Sequence, residues 1–459
     1  MHQGLQFDAD LLRKYDVRGP RYTSYPTAPQ FSPALDEHAY AELAAAAGTS
    51  DAPLSLYVHI PFCRTVCFYC GCNKVITANY SRAEDYLGKL AQEMALQGAL
   101  LGRREVTQLH FGGGTPTYLN ESDLRRVFSD LHRHFNLSAR AEREFSIEID
   151  PRTVSREKIA LLAELGFNRM SLGVQDFDPA VQVAVNRIQS VEQTAAVLEA
   201  GRASGFSSTN IDLIYGLPKQ TVESFDRTLD TVIALRPERL AVYSYAHLPQ
   251  LFKVQKQIDP AELPDGEAKL RLLELTIDRL TKAGYVYIGM DHFALPDDEL
   301  ARAQRDGTLQ RNFQGYSTQA ELDLVGLGVS AIGKIGNAYA QNAKLLEGYG
   351  KRMDEGRLAI VHGVRMSADD CLRRDVIQAL MCQGRIEFPR IEAAHGIRFR
   401  DYFAAELPRL APMIDDDLVR VDDQSIEITL RGRLLMRNVA MVFDAYLKPT
   451  DSTRFSKAI

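Results

Sequence analysis

The sequence predicts an α/β fold: a partial (β/α)6 barrel of parallel strands, with an N-terminal extension and a mainly α-helical C-terminal domain. Three observations predict it. Six short β-rich runs recur along the chain, segments with helical apolar spacing separate them, and the composition changes near residue 350. The runs are LSLYVHI (54–60), VTQLHFGGG (106–114), EFSIEID (144–150), RMSLGVQ (169–175), NIDLIYG (210–216) and RLAVYSY (239–245). Between them lie helical stretches such as RAEDYLGKLAQEMALQGALL and SREKIALLAELG. Strand–helix alternation implies parallel strands with right-handed crossovers, and six units suit a barrel or partial barrel better than a short open sheet.

The expected divisions are an extension over 1–40, the barrel over 41–350 and the last domain over 351–459. In that last part RRDVIQALMC and YFAAELPRLAPMI read as helical, LVRVDDQSIEITL as a hairpin, and GRLLMRNVAMVFDAYL as a final helix.

The chemistry falls at the strand ends, where a parallel α/β barrel builds its active site. Four of the six cysteines, Cys63, Cys67, Cys70 and Cys72, follow the first strand, with three, two and one residues between them. GGGTP (112–116) follows the second strand. Glu148 and Asp150 end the third, Gln175 and Asp176 the fourth, Asp212 and Tyr215 the fifth, and Tyr243, Tyr245 and His247 the sixth. Polar groups from six segments are thus expected at one mouth.

Composition limits what the thiols do. A 45% hydrophobic, 25% charged chain of 459 residues reads as an ordinary globular protein, and its net charge of −6 speaks against a nucleic-acid binder. Neither a signal-peptide core nor a membrane-length apolar run is visible, so a cytoplasmic location is expected, where clustered thiols serve as ligands or catalysts. Two readings stay open from the residues alone. One is a zinc site with His59 as fourth ligand, although a second separated ligand pair is missing. The other is an iron–sulfur cluster on three thiolates, which leaves one iron open.

CRTVCFYC resembles the C-x3-C-x2-C motif of radical S-adenosylmethionine enzymes, and GGGTP resembles their glycine motif. RYTSYPTA (21–28), CGCNK (70–74), VQDF (174–177), NIDLIYGLPKQT (210–221), GMDHFA (289–294), RNFQGY (311–316) and RRDVI (373–377) resemble signatures of one member family, the oxygen-independent coproporphyrinogen III oxidases (dehydrogenases) of bacterial haem synthesis. These stretches span nearly the whole chain.

The resemblance implies that Cys63, Cys67 and Cys70 hold one [4Fe–4S] cluster, whose open iron would bind S-adenosylmethionine. Oxidative decarboxylation of two propionate side chains of coproporphyrinogen III to vinyl groups would then give protoporphyrinogen IX. It further implies two S-adenosylmethionine molecules. The cluster-bound one would touch Tyr57, Gly113, Glu148 and Ile332; the second would touch Tyr69, Gly114, Thr115, Gln175, Arg187, Asp212 and Ala246. Tyr57, His59, Cys72 and Gln314 are the catalytic candidates. Implied partners are the substrate, a low-potential electron donor such as flavodoxin or ferredoxin, and an unknown electron acceptor, with a monomeric chain, no nucleic acid and no membrane span. The alternative is a haem-binding chaperone of the same superfamily, a subgroup without the C-x-C ending (Cys70–Cys72) or the RYTSYPTA segment, both of which stand here.

Each residue also has a plainer reading. Glu148 and Asp212 suit strand-end salt bridges, Gly112–Gly114 a tight turn, Tyr57 and Ile332 the core. His59 shares a face with Tyr57 by the strand's period of two and suits a hydrogen-bonded core position as well as a proton-handling one. Cys371 and Cys382 read as small buried hydrophobes. GLGVSA (326–331) matches a dinucleotide fingerprint but follows the strand repeats rather than opening a strand–helix unit. The C-terminal hairpin hints at a winged helix, but 15 Lys plus Arg against 15 Asp plus Glu over 361–459 leave no basic surplus. Residues 11–28 mix Arg13, Lys14, Arg18 and Arg21 with Tyr15, Tyr22 and Tyr25. They are expected to close over the barrel as a lid and substrate clamp, against the plainer reading of a solvated terminus.

Overall fold

The structure, a computed structural model, describes residues 5–101, 103–319 and 322–447. The six β-rich runs form parallel strands: β1 (Leu54–Ile60), β2 (Glu105–Gly113), β3 (Glu144–Ile149), β4 (Arg169–Gln175), β5 (Ser208–Tyr215) and β6 (Arg239–Ser244). They lie side by side in chain order, so all six carboxyl ends open on one rim. The first strand is buried at six of its seven positions, as befits a parallel strand covered on both faces.

Crossover helices over Ser81–Leu101, Glu121–His134, Arg156–Glu164, Val191–Ala203 and Val222–Leu235 make the outer layer. Their starts are written in the sequence. Ser155, Ser190 and Thr221 each accept a hydrogen bond from the first helical turn, and Ser190 and Thr221 complete reciprocal boxes with Gln193 and Ser224. Each such cap contributes about 1 kcal/mol.

The barrel does not close. Beyond β6 the sheet continues with antiparallel His292–Ala294 and Val286–Gly289. Beyond β1 it continues with Asp323–Leu327, which is parallel to β1, and then with antiparallel Ile332–Ile335, Ala338–Asn342 and Ile360–Arg365. GLGVSA therefore runs from strand through a turn into an antiparallel strand, without the helix a dinucleotide site requires.

A second core gathers Leu372, Val376, Leu380, Ile386, Phe399 and Phe403 with Tyr22 and Tyr25 of the N-terminal segment. Helix Ala368–Gln383 and a three-stranded sheet (Arg385–Glu387, Val419–Val421, Ser425–Ile428) frame it. The expected hairpin is thus present, with a third strand that the sequence reading missed. The sequence of residues 402–414 reads as helical. They instead end the short helix Phe399–Tyr402, make a 3-10 turn at Leu407–Leu410 and start another short helix at Ala411. Pro408 and Pro412 explain the break, since neither can donate the hydrogen bond a continuous helix needs. The final helix spans Met436–Met441, after a 3-10 turn over Arg433–Leu435, and residues 448–459 lie outside the described residues.

The N-terminal segment is packed rather than solvated. Leu11 and Leu12 are buried against Leu418 and Leu435. Tyr22 donates to Asp444 at 3.0 Å, and Tyr25 Oη accepts from the Ala445 N–H at 3.0 Å. Both tyrosine rings are therefore spent on the second core, not presented to a ligand.

Glu93 ties the long helix to the far strands. Fully buried, it accepts from the Gly328 N–H and Asn342 Nδ2, both at 2.6 Å, and from Tyr349 Oη at 2.8 Å. Burial lifts its carboxyl from 4.5 to about 7 despite those donors. A folded pKa above the unfolded one contributes stability at low pH that is lost as pH rises through about 7. Glu93→Gln, neutral at every pH, should cost stability relative to wild type, and that cost should shrink between pH 4.5 and about 7. Denaturant midpoints across that range check this; a constant difference contradicts it.

Candidate active site

The loop after β1 carries the four clustered cysteines; its two ends pair with each other and its middle is tied to the end of helix Pro179–Ala184. Phe62–Cys63 pairs with Val75–Ile76, and the Phe68 N–H donates to Val185 O at 2.9 Å. Cys63, Cys67, Cys70 and Cys72 all line one cavity of about 460 Å³, together with Gly113, Thr115, Glu148, Asp150, Gln175, Arg187, Asp212 and Tyr243. Residues from six strand ends meet there because the strands are parallel and adjacent.

Backbone approach sets the rim. Gly113 has φ +115°, and a Cβ there would lie 2.7 Å from the His59 ring. A Cβ on Gly114 would lie 2.5 Å from Pro61 O. Side chains are excluded at both positions. The Gly113 N–H donates to Glu148 Oε2 at 3.2 Å, and Glu148 Oε1 lies 3.3 Å from His110 Nε2. His110 stacks on Tyr57, 5.8 Å between centroids. The sequence reading missed His110, although period two along LHFGGG places it on the face of Gly112.

An ion cluster holds the thiol loop. Asp150 lies 2.6 Å from Arg152 Nη2 and 3.3 Å from Arg187 Nη1, and all three side chains are largely buried. Arg187 also donates to Cys67 Sγ at 3.4 Å and to Gly173 O, and Arg152 approaches Cys67 Sγ at 3.9 Å. Burial alone would raise the Asp150 carboxyl; the Arg152 hydrogen bond and the charges of Arg187 and Arg152 overcome it and hold it below 3.8. Arg152 was not singled out in the sequence, though DPR at the end of the third strand is the signal.

Asp212 accepts from Ser171 Oγ at 2.9 Å and Asn210 Nδ2 at 2.8 Å, yet burial, reinforced by Glu148, pushes its carboxyl up to about 6. Burial likewise pushes the Cys63 thiol up to about 11, while its sulfur shares a hydrogen bond with Thr115 Oγ1 at 3.3 Å. Cys70 moves the other way, its thiol lowered by a hydrogen bond from Cys72 and by the Lys74 charge.

Several of the named residues stand outside this cavity wall. His59 is buried behind Gly113. Its Nε2 donates to Asn73 O at 3.0 Å, which leaves Nδ1 to accept from Tyr57 Oη at 3.0 Å. Burial lowers its pKa, so the ring is neutral. Tyr57 is thereby engaged with His59 and His110. Ala246 lines a second cavity, but Gln255 Nε2 donates to both Tyr69 O (2.9 Å) and Ala246 O (3.2 Å), holding it against the thiol loop. Ile332 begins an outer strand, and Gln314 sits at the tip of a hairpin with Nε2 buried and, among the described residues, without a hydrogen-bond partner. Asp176 turns away from the mouth, accepting from Thr228, Gln220 and the Asp178 N–H, because burial there is tolerable only with those donors.

The donor set fits an iron–sulfur cluster. Thiols are soft ligands for iron, and N–H groups already aimed at one sulfur suit a thiolate. Among the described residues, no three His, Cys, Asp or Glu side chains converge as ligands of a single ion would. The thiols instead flank a space.

Comparison with known proteins places this geometry. Residues 57–232 match the Radical SAM superfamily and residues 366–435 the HemN C-terminal domain. The oxygen-independent coproporphyrinogen III oxidase of Pseudomonas aeruginosa is 52% identical over 456 residues, covering 99% of each chain. That of Escherichia coli is 51% identical over 446 residues, covering 97% of each. The solved structure described as "Coproporphyrinogen III oxidase (HemN) from Escherichia coli is a Radical SAM enzyme" superposes with a TM-score of 0.92 at 50% identity, over 97% of this chain and all of that one.

Asp150→Asn would leave two buried guanidinium groups without their counter-charge, at a cost of about 3 kcal/mol at neutral pH. Because the folded carboxyl is depressed, that difference from wild type should fade as pH drops below 3.8. Unfolding curves of the apoprotein at several pH values check both the size and the fading.

Proposed function

This chain belongs to the oxygen-independent coproporphyrinogen III oxidases of the radical SAM superfamily, and from that premise we propose how its cavity works. The reaction converts two propionate side chains of coproporphyrinogen III to vinyl groups, giving protoporphyrinogen IX. Each round removes carbon dioxide, one hydrogen atom and one electron from a propionate. The observation that carries the reading is one cavity holding the four clustered thiols, a glycine rim and strand-end carboxylates together.

Cys63, Cys67 and Cys70 hold the [4Fe–4S] cluster. When bound, the cluster and S-adenosylmethionine supply the one-electron cleavage that makes an unactivated propionate carbon reactive. The protein's part is placement and exclusion of water. Arg187 and Arg152 direct N–H groups at the Cys67 sulfur and hold it in place. Glu148, fixed by the Gly113 N–H and His110, offers a carboxylate to an ammonium group of the cofactor at the cluster. Tyr57 and His59 support that corner from behind: the Nε2–H of His59 is committed to Asn73, so a proton could pass only along the Tyr57–Nδ1 hydrogen bond. Gln314 and Cys72 complete the candidate catalytic set, Cys72 beside Cys70 but outside its ligand role.

A second S-adenosylmethionine lies along Tyr69, Gly114, Thr115, Gln175, Arg187, Asp212 and Ala246, with Gly113, Glu148, Tyr57 and Ile332 serving the first. Support for two places comes from the wall itself. Glu148 and Asp212 rise from different strands, each with its own hydrogen-bonding partners, so two ligand ends can be met separately. Arg187 contacts the thiol loop at Cys67 as well as lining the cavity, so its removal would disturb the cluster too; Asp212 is the cleaner probe. A low-potential donor such as flavodoxin or ferredoxin supplies electrons, and the chain acts as a monomer in the cytoplasm.

Anaerobic turnover of the reconstituted protein with coproporphyrinogen III tests the function. Protoporphyrinogen IX with two carbon dioxide molecules per porphyrin is expected; haem uptake without decarboxylation would favour the chaperone reading instead. Equilibrium dialysis should find two S-adenosylmethionine molecules per wild-type chain and one in Asp212→Ala with its iron content intact. One molecule in wild type removes the second site.

A further inference from the structure

A second cavity, of about 170 Å³, adjoins the first at the barrel rim and is bounded by Arg18, Arg21, Tyr215, Ser244, Lys269 and Arg437. Its cations come from distant parts of the chain. Arg21 belongs to the N-terminal segment, Lys269 to the helix Gly266–Lys282, and Arg437 to the last described helix. Arg21 lies over the ring of Tyr243 at 5.5 Å, and Tyr243 lines the thiol cavity, so the guanidinium stands at the boundary between the two spaces.

Behind Arg21 is Arg311. Only 6% exposed, it donates from Nη2 to Arg21 O at 3.5 Å and lies 4.7 Å from the Tyr316 ring centre. Among the described residues, its Nε and Nη1 have no hydrogen-bond partner. Leaving guanidinium donors dry and unmatched is costly and calls for a water, an ion or a ligand group to receive them. His292, edge-on to both Tyr243 and Tyr316, brings no negative charge: burial, then Arg311 and Arg21, lower it to about 3. Arg21 pairs with Asp291, a carboxylate on the same wall. The crowding is visible in the cations themselves. Burial and then Arg21 lower Arg437 to about 9, and burial and then Arg311 lower Arg21.

A bound anion would relieve this repulsion, and the substrate carries four carboxylates while only one propionate reacts at a time. The geometry points to a carboxylate site at this rim, in which Arg21 and Arg437, backed by Arg311, hold a non-reacting propionate of the macrocycle while another enters the thiol cavity. This inference rests on the proposed function and adds the residues that orient the substrate. It also narrows the clamp expected of residues 11–28: Arg18 and Arg21 border this cavity, whereas Tyr22 and Tyr25 face the second core. Arginine suits the task because its planar fork meets a carboxylate through two parallel hydrogen bonds.

The test uses the anaerobically reconstituted holoenzyme and coproporphyrin III, the stable oxidised tetracarboxylate, as binding probe, beside KM and kcat for coproporphyrinogen III. Arg21→Gln and Arg311→Gln should each weaken probe binding and raise KM roughly tenfold or more, with iron content and S-adenosylmethionine binding unchanged. The tetramethyl ester of the probe, which lacks the charges, should bind wild type and variants equally. If Arg311→Gln does not fold, Arg21→Gln with the two probes still decides. Wild-type affinity for the tetracarboxylate in the variants, or an equal loss for acid and ester, overturns the carboxylate site. A wild-type protein that neither binds the probe nor converts coproporphyrinogen III overturns the proposed function itself.

Discussion

The buried ion cluster of Asp150, Arg152 and Arg187 is the constraint on which the site depends. Three strands contribute to it: Asp150 and Arg152 follow β3, Arg187 follows β4 and donates back to Gly173, and the Cys67 sulfur they reach belongs to the loop after β1. Such charges are tolerated away from water only when paired and hydrogen-bonded. The pairing therefore helps to fix the mutual position of three connecting segments that follow different strands. Burial raises the Cys63 thiol, while hydrogen bonds and positive charge draw Cys70 down, so the loop combines protected and readily ionised sulfur.

Two charge environments then divide the rim. On the thiol side, Glu148, Asp150 and Asp212 face Arg152 and Arg187, a mixed wall suited to a zwitterionic cofactor such as S-adenosylmethionine. On the far side of Tyr243, cations dominate, a wall suited to carboxylates. The Tyr243 ring stands between them, with Arg21 over it. This division comes from topology: the first wall consists of strand ends, and the second is assembled where the N-terminal segment and the last helix are packed against the barrel by the second core.

Much of this was legible in the sequence because it is local. Period-two runs placed the six strands within one or two residues, and the parallel order placed their polar ends together. The cysteine loop, Gly113, Gly114, Thr115, Glu148, Gln175 and Asp212 all lie on the cavity, as strand-end position implies, and so does Arg187, which the family resemblance alone pointed to. What escaped depends on long-range packing. No local pattern says that Tyr22 and Tyr25 complete a core more than 350 residues away in sequence, that Gln255 ties Ala246 to Tyr69, or that Asp176 turns toward a helix instead of the mouth. His110 and Arg152 had local signals, but their roles appear only when neighbouring strands supply Glu148 and Cys67. Pro408 and Pro412 were visible breakers within a segment whose apolar spacing looked helical.

The central claim is that three thiols of one loop hold the cluster while a fourth, two residues from the last of them, does not. Iron content after anaerobic reconstitution of four single variants tests it most directly. Cys63→Ser, Cys67→Ser and Cys70→Ser should each lose the cluster and its visible absorbance, since a serine hydroxyl is a poor substitute for thiolate. Cys72→Ser should retain iron at the wild-type level. Loss of iron from Cys72→Ser as complete as from Cys67→Ser would contradict the account.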